Sequence, residues 1–290
     1  MKRRELLLGG AAAAAFGALA SEKPEKGAAR IGLSPVFVDD QLAFLTNWRS
    51  YLEQALERPV QFVQRRSYRE IMDLLLEQRL EFAWICGYPY VRNRAELQLV
   101  AVPVSEGRPT YHSYLLVPAT DRGTNSILDL RGKVFAFSDP DSNSGFLYPN
   151  YELVSLAEPP DRFFGKTFFT WAHRNTVEAI AAGLAHGGAV DSYVWETLRR
   201  YRPETAAHTR VAARSPEFGH TPFVARRGVP SRDWLALQRA LTGMRDSPSG
   251  RALLEKLNLD GFVPGADSLY EGIARMMAAV KGVALHAPTA

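Results

Sequence analysis

The residues best suited to binding chemistry stand in a short polar loop over residues 139–145, DPDSNSG. The loop follows an apolar run typical of a strand and precedes a helical pattern that begins near Gly145. Ser142, Asn143 and Ser144 can donate hydrogen bonds from their side chains, and the glycine lets a ligand come close to the backbone. Because a helix N-terminus carries partial positive charge, the loop is suited to an oxyanion. The alternative is that one of the polar residues only caps the helix.

Three further positions follow apolar runs in the same way. Cys86 and Tyr88 belong to a CGYPY stretch, which forms either a ligand contact or a turn with packed aromatic rings. His173 stands between a strand pattern and a helix pattern, where it is either a proton donor to an anion or a structural histidine. Asp191 and Tyr193 also follow an apolar run, and Asp191 alternatively caps the next helix.

The elements that would position these loops are short apolar runs alternating with helical patterns. Ser67 and Glu70 have the spacing of a capping box, which predicts the start of a helix. Strands are predicted at 30–34, 59–63, 82–85, 97–102, 114–117, 134–137, 167–169 and 189–191, with helices at 39–57, 67–78 and 145–156 among them. This order predicts an α/β fold with mostly parallel sheets flanked by helices, arranged as two lobes. Ligands of such sheets bind beyond the carboxyl ends of the strands, where all the loops above lie.

Residues 1–20 have the layout of a secretory signal peptide. A basic start, KRRE, is followed by an apolar run over residues 6–19 and an A-x-A end at residue 20. The run is shorter than the roughly 20 residues that a membrane-spanning helix needs. The Arg3-Arg4 pair indicates twin-arginine export, with Sec export as the alternative. Residues 21–29 would form a flexible lead, and the mature protein is expected in the periplasm.

The composition excludes several classes of partner and chemistry. The chain has 290 residues, 46% of them apolar, and a net charge of +4, of which residues 1–20 carry +2. A near-neutral mature chain has no electrostatic footprint for nucleic acid or a membrane surface. Cys86 is the single cysteine of the sequence, so the chain forms no internal disulfide and no multi-cysteine metal site. No metal or cofactor is expected.

Common enzyme motifs are missing as well. The sequence contains no G-x-S-x-G, no P-loop, no H-E-x-x-H and no G-x-G-x-x-G. Ser144, His173 and Asp191 could be drawn as a hydrolytic triad, but Ser144 stands in an S-N-S-G context. The chain is therefore expected not to be an enzyme, with a secreted hydrolase as a remote alternative.

Longer blocks of the sequence carry a family resemblance. Residues 126–149 read SILDLRGKVFAFSDPDSNSGFLYP, and residues 190–196 read VDSYVWE. With the stretches at 67–91 and 210–230, they make the chain similar to the periplasmic substrate-binding proteins of phosphate, phosphite and phosphonate ABC transporters over residues 30–265. This resemblance implies a type II periplasmic binding fold, in which two lobes joined by two crossings close a cleft on a small oxyanion.

The resemblance also implies the lobe boundaries and the site. Lobe 1 would comprise residues 30–117 and 216–285, and lobe 2 residues 118–215. The family's ligand-binding positions fall on Tyr68, Tyr111, Ser142, Asn143, Ser144, His173, Asp191 and, less directly, Glu196. Asn143 replaces a common Thr, and both residue types can donate to an anion. Thr221 stands where aminophosphonate binders have an acidic residue, which disfavours an aminoalkylphosphonate ligand.

The function implied is capture of phosphate, phosphite or a phosphonate by lobe closure, and delivery to an ABC transporter permease by a monomeric protein. A related branch of the fold senses arsenite or other oxyanions beside a histidine kinase, and metalloid chemistry would use the Cys86 thiol. Cys86 is alternatively a small buried hydrophobe. The sequence alone therefore does not distinguish a transport role from a sensing role.

Overall fold

The computed structural model describes residues 27–34 and 42–285. The predicted signal peptide, most of the flexible lead and residues 39–41 of the first predicted helix lie outside this part. The described residues form two α/β lobes, each built around one sheet. None of their helices is both long and apolar enough to span a membrane.

The elements follow the alternation that the sequence predicts. The strands in chain order are β1 (Ala29–Leu33), β2 (Val60–Gln64), β3 (Phe82–Trp84), β4 (Leu97–Val104), β5 (Thr110–Pro118), β6 (Val134–Phe137), β7 (Lys166–Phe169), β8 (Gly187–Asp191), β9 (Thr209–Gly219), β10 (Phe223–Arg226) and β11 (Gly261–Pro264). The α-helices are α1 (Leu42–Leu56), α2 (Tyr68–Leu76), α3 (Gly87–Arg92), α4 (Tyr148–Ser155), α5 (Pro160–Phe163), α6 (His173–Ala181), α7 (Ser192–Tyr201), α8 (Pro203–Ala206), α9 (Ser231–Thr242), α10 (Pro248–Leu257) and α11 (Glu271–Ala279).

Both sheets are mixed rather than mostly parallel. In the described part, the order β11-β4-β10-β3-β1-β2 forms the sheet of lobe 1 and β7-β6-β8-β5-β9 that of lobe 2. β1 runs parallel to β2 and β3, and β6 runs parallel to β7 and β8, as the sequence predicts. The antiparallel pairings arise because β10 returns from lobe 2 and inserts between β3 and β4, while β5 enters lobe 2 opposite to β8.

Helix α2 begins where its capping box predicts. The Ser67 hydroxyl accepts the backbone N–H of Glu70, and the Glu70 carboxylate accepts that of Ser67. Ile71 and Leu75 are fully buried on the side of the helix that faces the sheet. The cap and the apolar stripe together fix the position of Tyr68, the first residue of the helix.

Two crossings connect the lobes. The chain enters lobe 2 between β4 and β5 and returns to lobe 1 at residues 220–222, between β9 and β10. The backbone N–H of His220 donates to the carbonyl of Pro109 at 2.9 Å, so the crossings run side by side. Because β5 and β9 pair with each other in the second sheet, residues 110–117 and 216–219 belong to that sheet and not to lobe 1 as implied from the sequence.

Buried aromatic rings hold the sheets against their helices. In lobe 1, the ring of Trp48 in α1 lies 6.0 Å from that of Trp84 and 6.0 Å from that of Phe223, measured between centroids. In lobe 2, Phe135 stacks on Phe164 with centroids 4.2 Å apart. Close-packed interiors of this kind resist deformation, so the strand ends hold the loops of the site in fixed positions.

Candidate functional site

The polar loop of lobe 2 lies directly against the helix starts of lobe 1. Asp139 follows β6, and its Oδ2 accepts the backbone N–H of Tyr68, the first residue of α2, at 3.2 Å. The backbone N–H of Asn143 donates to Sγ of Cys86, the N-cap of α3, at 3.3 Å. The sequence-predicted loops of the two halves therefore meet at one interface.

The loop also carries a charged connection between the lobes. Asp141 Oδ1 accepts from Arg92 Nη1 at 2.8 Å, and Asp141 Oδ2 lies 3.6 Å from Arg69 Nε. Asp141 is almost completely buried, whereas Arg69 is mostly exposed. We call the contacts of Asp139 and Asp141 with lobe 1 the aspartate clasp, because they join the lobes through side chains of the protein itself.

The turn that follows the aspartate clasp differs from the helix start that the sequence predicts. The sequence predicts a helix from about Gly145, but a π-helical turn spans Asn143–Leu147 and α4 follows it. The Ser142 hydroxyl accepts the Gly145 N–H at 3.0 Å. A Cβ atom on Gly145 would lie 1.8 Å from Ser138 Oγ, so this position has room only for glycine. Single π-turns in helices often mark functional sites.

Four buried side chains from the two halves form what we call the polar cluster: Tyr68, Tyr111, Asn143 and Ser144. Asn143 Nδ2 donates to Tyr111 Oη at 2.9 Å, and Ser144 Oγ lies beside the same phenol without completing a hydrogen bond of standard geometry. Tyr68 Oη, Ser144 Oγ and Asn143 Oδ1 have no hydrogen-bond partner among the described residues. An unpaired buried polar group costs about 1–3 kcal/mol, and such groups in native proteins need an explanation. A polar ligand held between the lobes would explain these groups, because it could form hydrogen bonds with them.

The polar cluster can donate to an anion but holds no cation of its own. Burial raises the pKa of Tyr68 and of Tyr111 well above the ordinary value, so both phenols keep their protons at neutral pH. The carboxyl groups of Asp139 and Asp191 lie near enough to raise the pKa of Tyr68 further. Burial raises the pKa of Asp139 itself to about 6.

His173 supports the loop as a neutral donor. Its Nδ1 accepts the backbone N–H of Asp191 at 3.2 Å, which leaves the proton on Nε2. Nε2 lies 3.4 Å from Ser142 Oγ. Burial lowers the pKa of His173 to about 3, so the ring carries no charge at neutral pH. The histidine is thus aimed at Ser142 of the polar loop.

The triad that the sequence permits is not formed. His173 Nε2 faces Ser142 and not Ser144, and Asp191 reaches the imidazole through its backbone N–H and not through its carboxylate. A hydrolytic triad needs the carboxylate to orient the histidine and the histidine to contact the nucleophile. Within the described ranges, no group of three or more His, Cys, Asp or Glu side chains could hold a metal ion.

Asp191 caps α7, the structural alternative considered from the sequence. Its Oδ1 accepts the Tyr193 N–H at 2.8 Å, and burial raises its pKa to about 8. The Tyr193 hydroxyl donates to the carbonyl of Leu257 in lobe 1, so this phenol joins the lobes and lies outside the polar cluster. Glu196, one turn along α7, accepts from Tyr114 and pairs with an arginine of its own helix.

The raised pKa of Asp191 predicts a pH dependence of folding stability. An Asp in the unfolded chain titrates near about 3.9. The contribution of Asp191 is therefore full below that pH and is lost as the pH rises through about 8. Asn at this position keeps the cap and cannot ionise. We expect the unfolding free energy of Asp191→Asn to rise relative to that of the wild type as the pH increases from about 5 to about 8.5, by on the order of a few kcal/mol. Urea unfolding at each pH measures this difference.

Asp121 provides the matched control for this comparison. Hydrogen bonds from the backbone and side chain of Thr124 lower its pKa to about 2. The contribution of Asp121 is thus constant above about pH 5, and Asp121→Asn should differ from the wild type by the same amount across the range. A constant difference for Asp191→Asn as well would contradict the prediction.

Cys86 is the N-cap of the short helix α3, and Tyr88 lies in the first turn of that helix. Cys86 is 1% exposed, and burial raises the pKa of its thiol to about 12, although the N–H groups of Asn143 and Tyr88 lower it in part. The side chain is therefore a protonated thiol in the contact between the lobes. The Tyr88 ring is half-buried, with the Arg92 guanidinium 5.4 Å from its centroid, and is not part of the polar cluster.

His220 is a candidate site residue that the sequence analysis did not include. It lies on the returning crossing, with its ring 5.6 Å from that of Tyr111 and 5.1 Å from that of Tyr193. Nδ1 accepts the Thr221 N–H at 2.9 Å, and Nε2 has no partner in the described part of the chain. The sequence drew attention to Thr221, but Trp84 Nε1 already donates to that hydroxyl. The signal in the sequence that could have indicated His220 is that it is a polar residue directly before Thr221, where the chain crosses between the lobes.

Comparisons with known proteins bear on this arrangement. A family model described as "ABC transporter, phosphonate, periplasmic substrate-binding protein" matches residues 31–270. The phosphate-import protein PhnD of Mycolicibacterium smegmatis is 30% identical over 51% of this chain and 50% of its own length. This chain thus matches about half the length of that relative. The probable ABC transporter phosphite binding protein PhnD1 of Prochlorococcus marinus is 21% identical, over 77% of this chain and 79% of that protein.

Solved structures show the same fold. A binding protein component of an ABC phosphonate transporter from Pseudomonas aeruginosa matches with a TM-score of 0.79 and 20% identity, over 87% of this chain and 86% of that one. PhnD1 of Prochlorococcus marinus in complex with methylphosphonate matches with a TM-score of 0.76 and 18% identity, over 88% and 98% of the two chains. The two-lobed periplasmic binding fold is therefore confirmed. Given the extent of the family match, the chain belongs to the periplasmic substrate-binding proteins of phosphonate ABC transporters.

Proposed function

We propose that this protein captures a small phosphorus oxyanion, namely phosphate, phosphite or a phosphonate, between its lobes and delivers it to the permease of an ABC transporter. The observation that carries the proposal is a pair of buried hydroxyls without partners among the described residues, Tyr68 Oη from lobe 1 and Ser144 Oγ from lobe 2, whose side chains both lie near Tyr111. Relatives named for phosphate import, phosphite binding and phosphonate binding support this class of ligand. The predicted signal peptide over residues 1–20 supports a periplasmic location.

Neutral donors are sufficient for this task. Hydrogen bonds to a charged acceptor are shorter and stronger than those between neutral groups. Tyr68 and Ser144 sit on opposite lobes, so an anion that accepts from both stabilises the closed arrangement over the open one. Tyr111 and His220 Nε2 lie beside them and can add donors. Binding and closure follow without any chemical step.

Metalloid capture and hydrolysis, two of the alternatives from the sequence, are not favoured by the geometry. Metalloid capture would need a thiolate, but burial holds Cys86 as a protonated thiol. Hydrolysis would need a base on Ser144, and His173 faces Ser142. We therefore propose a transport role without turnover.

A thermal-shift screen of the mature chain, residues 21–290, tests the proposal. A ligand at 100 times its Kd stabilises the folded state by about 2.7 kcal/mol, which raises the melting temperature by several degrees. We expect phosphate, phosphite or methylphosphonate to give this shift and arsenite to give none. Calorimetry should then show one site per chain. The proposal is wrong if none of the three phosphorus ligands binds the wild-type protein.

A further inference from the structure

Ser34 carries a buried hydroxyl at the end of the first strand of lobe 1. The residue follows β1 directly, and its backbone N–H donates to the carbonyl of Trp84 at 3.3 Å, which extends the pairing of β1 with β3 by one residue. Ser34 is 4% exposed, and its Oγ finds no hydrogen-bond partner among residues 27–34 and 42–285. A buried hydroxyl without a partner needs an explanation in a native protein.

The position of Ser34 lies between the two places where the polar loop of lobe 2 contacts lobe 1. β1 stands between β2 and β3 in the sheet. The chain after β2 supplies Tyr68, whose N–H donates to Asp139, and the chain after β3 supplies Cys86, whose Sγ accepts from Asn143. Because adjacent strands are about 4.8 Å apart, the loop from Asp139 to Asn143 spans the end of β1. Ser34 therefore lies at the interface between the lobes, opposite the polar loop.

The side chain of Ser34 faces the start of α2. Successive side chains of a strand point to opposite faces, so Ser34 shares a face with Gly32. A Cβ atom on Gly32 would lie 3.0 Å from Ile71 Cγ2, so α2 covers this face. Helix α2 runs opposite to β1, because it connects two strands that are both parallel to β1. From Gly32 to Ser34 the strand advances about 6.6 Å, which is close to one helical turn, and one turn before Ile71 lies Tyr68.

Two hydroxyls of lobe 1 thus lie at the amino end of one nine-residue helix. Such a helix end carries partial positive charge and favours an anion. Asp139 and the Ser67 cap already accept N–H groups there, whereas the hydroxyls of Ser34 and Tyr68 have no partner in the described part of the chain and can donate. A phosphorus oxyanion has several oxygens, so it can accept from both of them as well as from Ser144.

We propose that Ser34 is a further ligand-binding residue, whose hydroxyl donates a hydrogen bond to the oxyanion from lobe 1, beside Tyr68. Phosphate, phosphite and phosphonates all present an oxygen that can accept it. The inference rests on the proposed function, because it concerns the same site.

The test measures phosphate binding by Ser34→Ala. A hydrogen bond to a charged acceptor is lost, so we expect the dissociation constant for inorganic phosphate to rise about tenfold or more in titration calorimetry. Thermal unfolding without ligand should match that of the wild type, because the hydroxyl has no hydrogen bond among the described residues.

Ser138→Ala is the matched control. Ser138 is the first residue after β6, and its hydroxyl is likewise buried and without a partner among the described residues. It lies against Gly145 inside lobe 2, where a Cβ atom on the glycine would be 1.8 Å from Ser138 Oγ. The control should therefore bind phosphate like the wild type.

The outcomes separate the two proposals. The role of Ser34 is overturned if Ser34→Ala keeps the wild-type affinity, whether or not it unfolds at a lower temperature, or if Ser138→Ala loses as much affinity as Ser34→Ala. Oxyanion capture would stay intact in each of these cases. A wild type that binds none of phosphate, phosphite and methylphosphonate overturns the proposed function itself.

Discussion

Replacing Tyr68 by Phe and Ser144 by Ala in one chain is expected to weaken phosphate binding by at least about a hundredfold and to leave folding intact. Neither hydroxyl has a hydrogen-bond partner among the described residues, so their removal breaks no standard hydrogen bond between those residues. Hydrogen bonds to charged groups contribute about 1.5–3 kcal/mol each. Two of them correspond to a factor of about 10² to 10⁴ in the dissociation constant.

Calorimetry with inorganic phosphate measures this loss, and thermal unfolding without ligand checks the fold. The double variant Tyr51→Phe, Ser155→Ala is the matched control, because it removes one tyrosine hydroxyl and one serine hydroxyl from other positions, in α1 and α4. Both of those hydroxyls donate to backbone carbonyls away from the cluster. The control should bind phosphate like the wild type. Unchanged affinity in the Tyr68/Ser144 variant would show that the anion binds elsewhere.

Gly145→Ala is expected to abolish binding through a displaced turn. The new methyl group would lie 1.8 Å from Ser138 Oγ, 2.7 Å from Ser138 Cβ and 3.1 Å from the carbonyl oxygen of Ala189. Overpacking of this kind costs about 1–3 kcal/mol when the surroundings must move. The movement would carry Ser144 out of its position, so we expect both a lower melting temperature and a loss of phosphate binding of at least about a hundredfold.

A second substitution tests the cause. Ser138→Gly removes both side-chain atoms that the methyl group would meet, so adding it to Gly145→Ala should restore much of the binding. Gly272→Ala in α11 is the matched control, because its nearest neighbours lie 3.9 Å away. Equal effects at Gly145 and Gly272, or no rescue by Ser138→Gly, would contradict the steric explanation.

Local sequence pattern was enough to predict most of the candidate site. The strand, polar loop and helix around Ser142–Ser144 are encoded in consecutive residues, and so is the capping box that places Tyr68. Because the carboxyl ends of parallel strands in one sheet share an edge, the loops after β6, β7 and β8 were expected to lie near one another. Tyr68 follows a strand of the other sheet, so its proximity to them depends on the approach of the lobes. The family resemblance added Tyr111, which no local pattern distinguishes from a core aromatic.

Contacts between distant residues could not be predicted in this way. Ser142 and Ser144 look alike in the sequence, yet one hydroxyl serves the turn and the other is unpaired. The orientation of the Asn143 amide depends on a phenol 32 residues earlier in the chain. The role of His220 depends on how the returning crossing packs against Tyr111. Each of these depends on the approach of one lobe to the other, which short-range periodicity does not encode.

The aspartate clasp has a consequence for how a permease would distinguish loaded from empty copies. Asp139 and Asp141 hold lobe 1 with groups that belong to the chain itself, so part of the closing free energy is present before any solute arrives. Closure therefore requires less free energy from the solute than it would without these contacts, and the solute shifts the equilibrium further toward the shut form. A permease that recognised only the shape of the shut form would also bind copies that carry no solute. We expect the lifetime of the shut form, which the solute lengthens, to be the property by which a permease distinguishes loaded copies from empty ones.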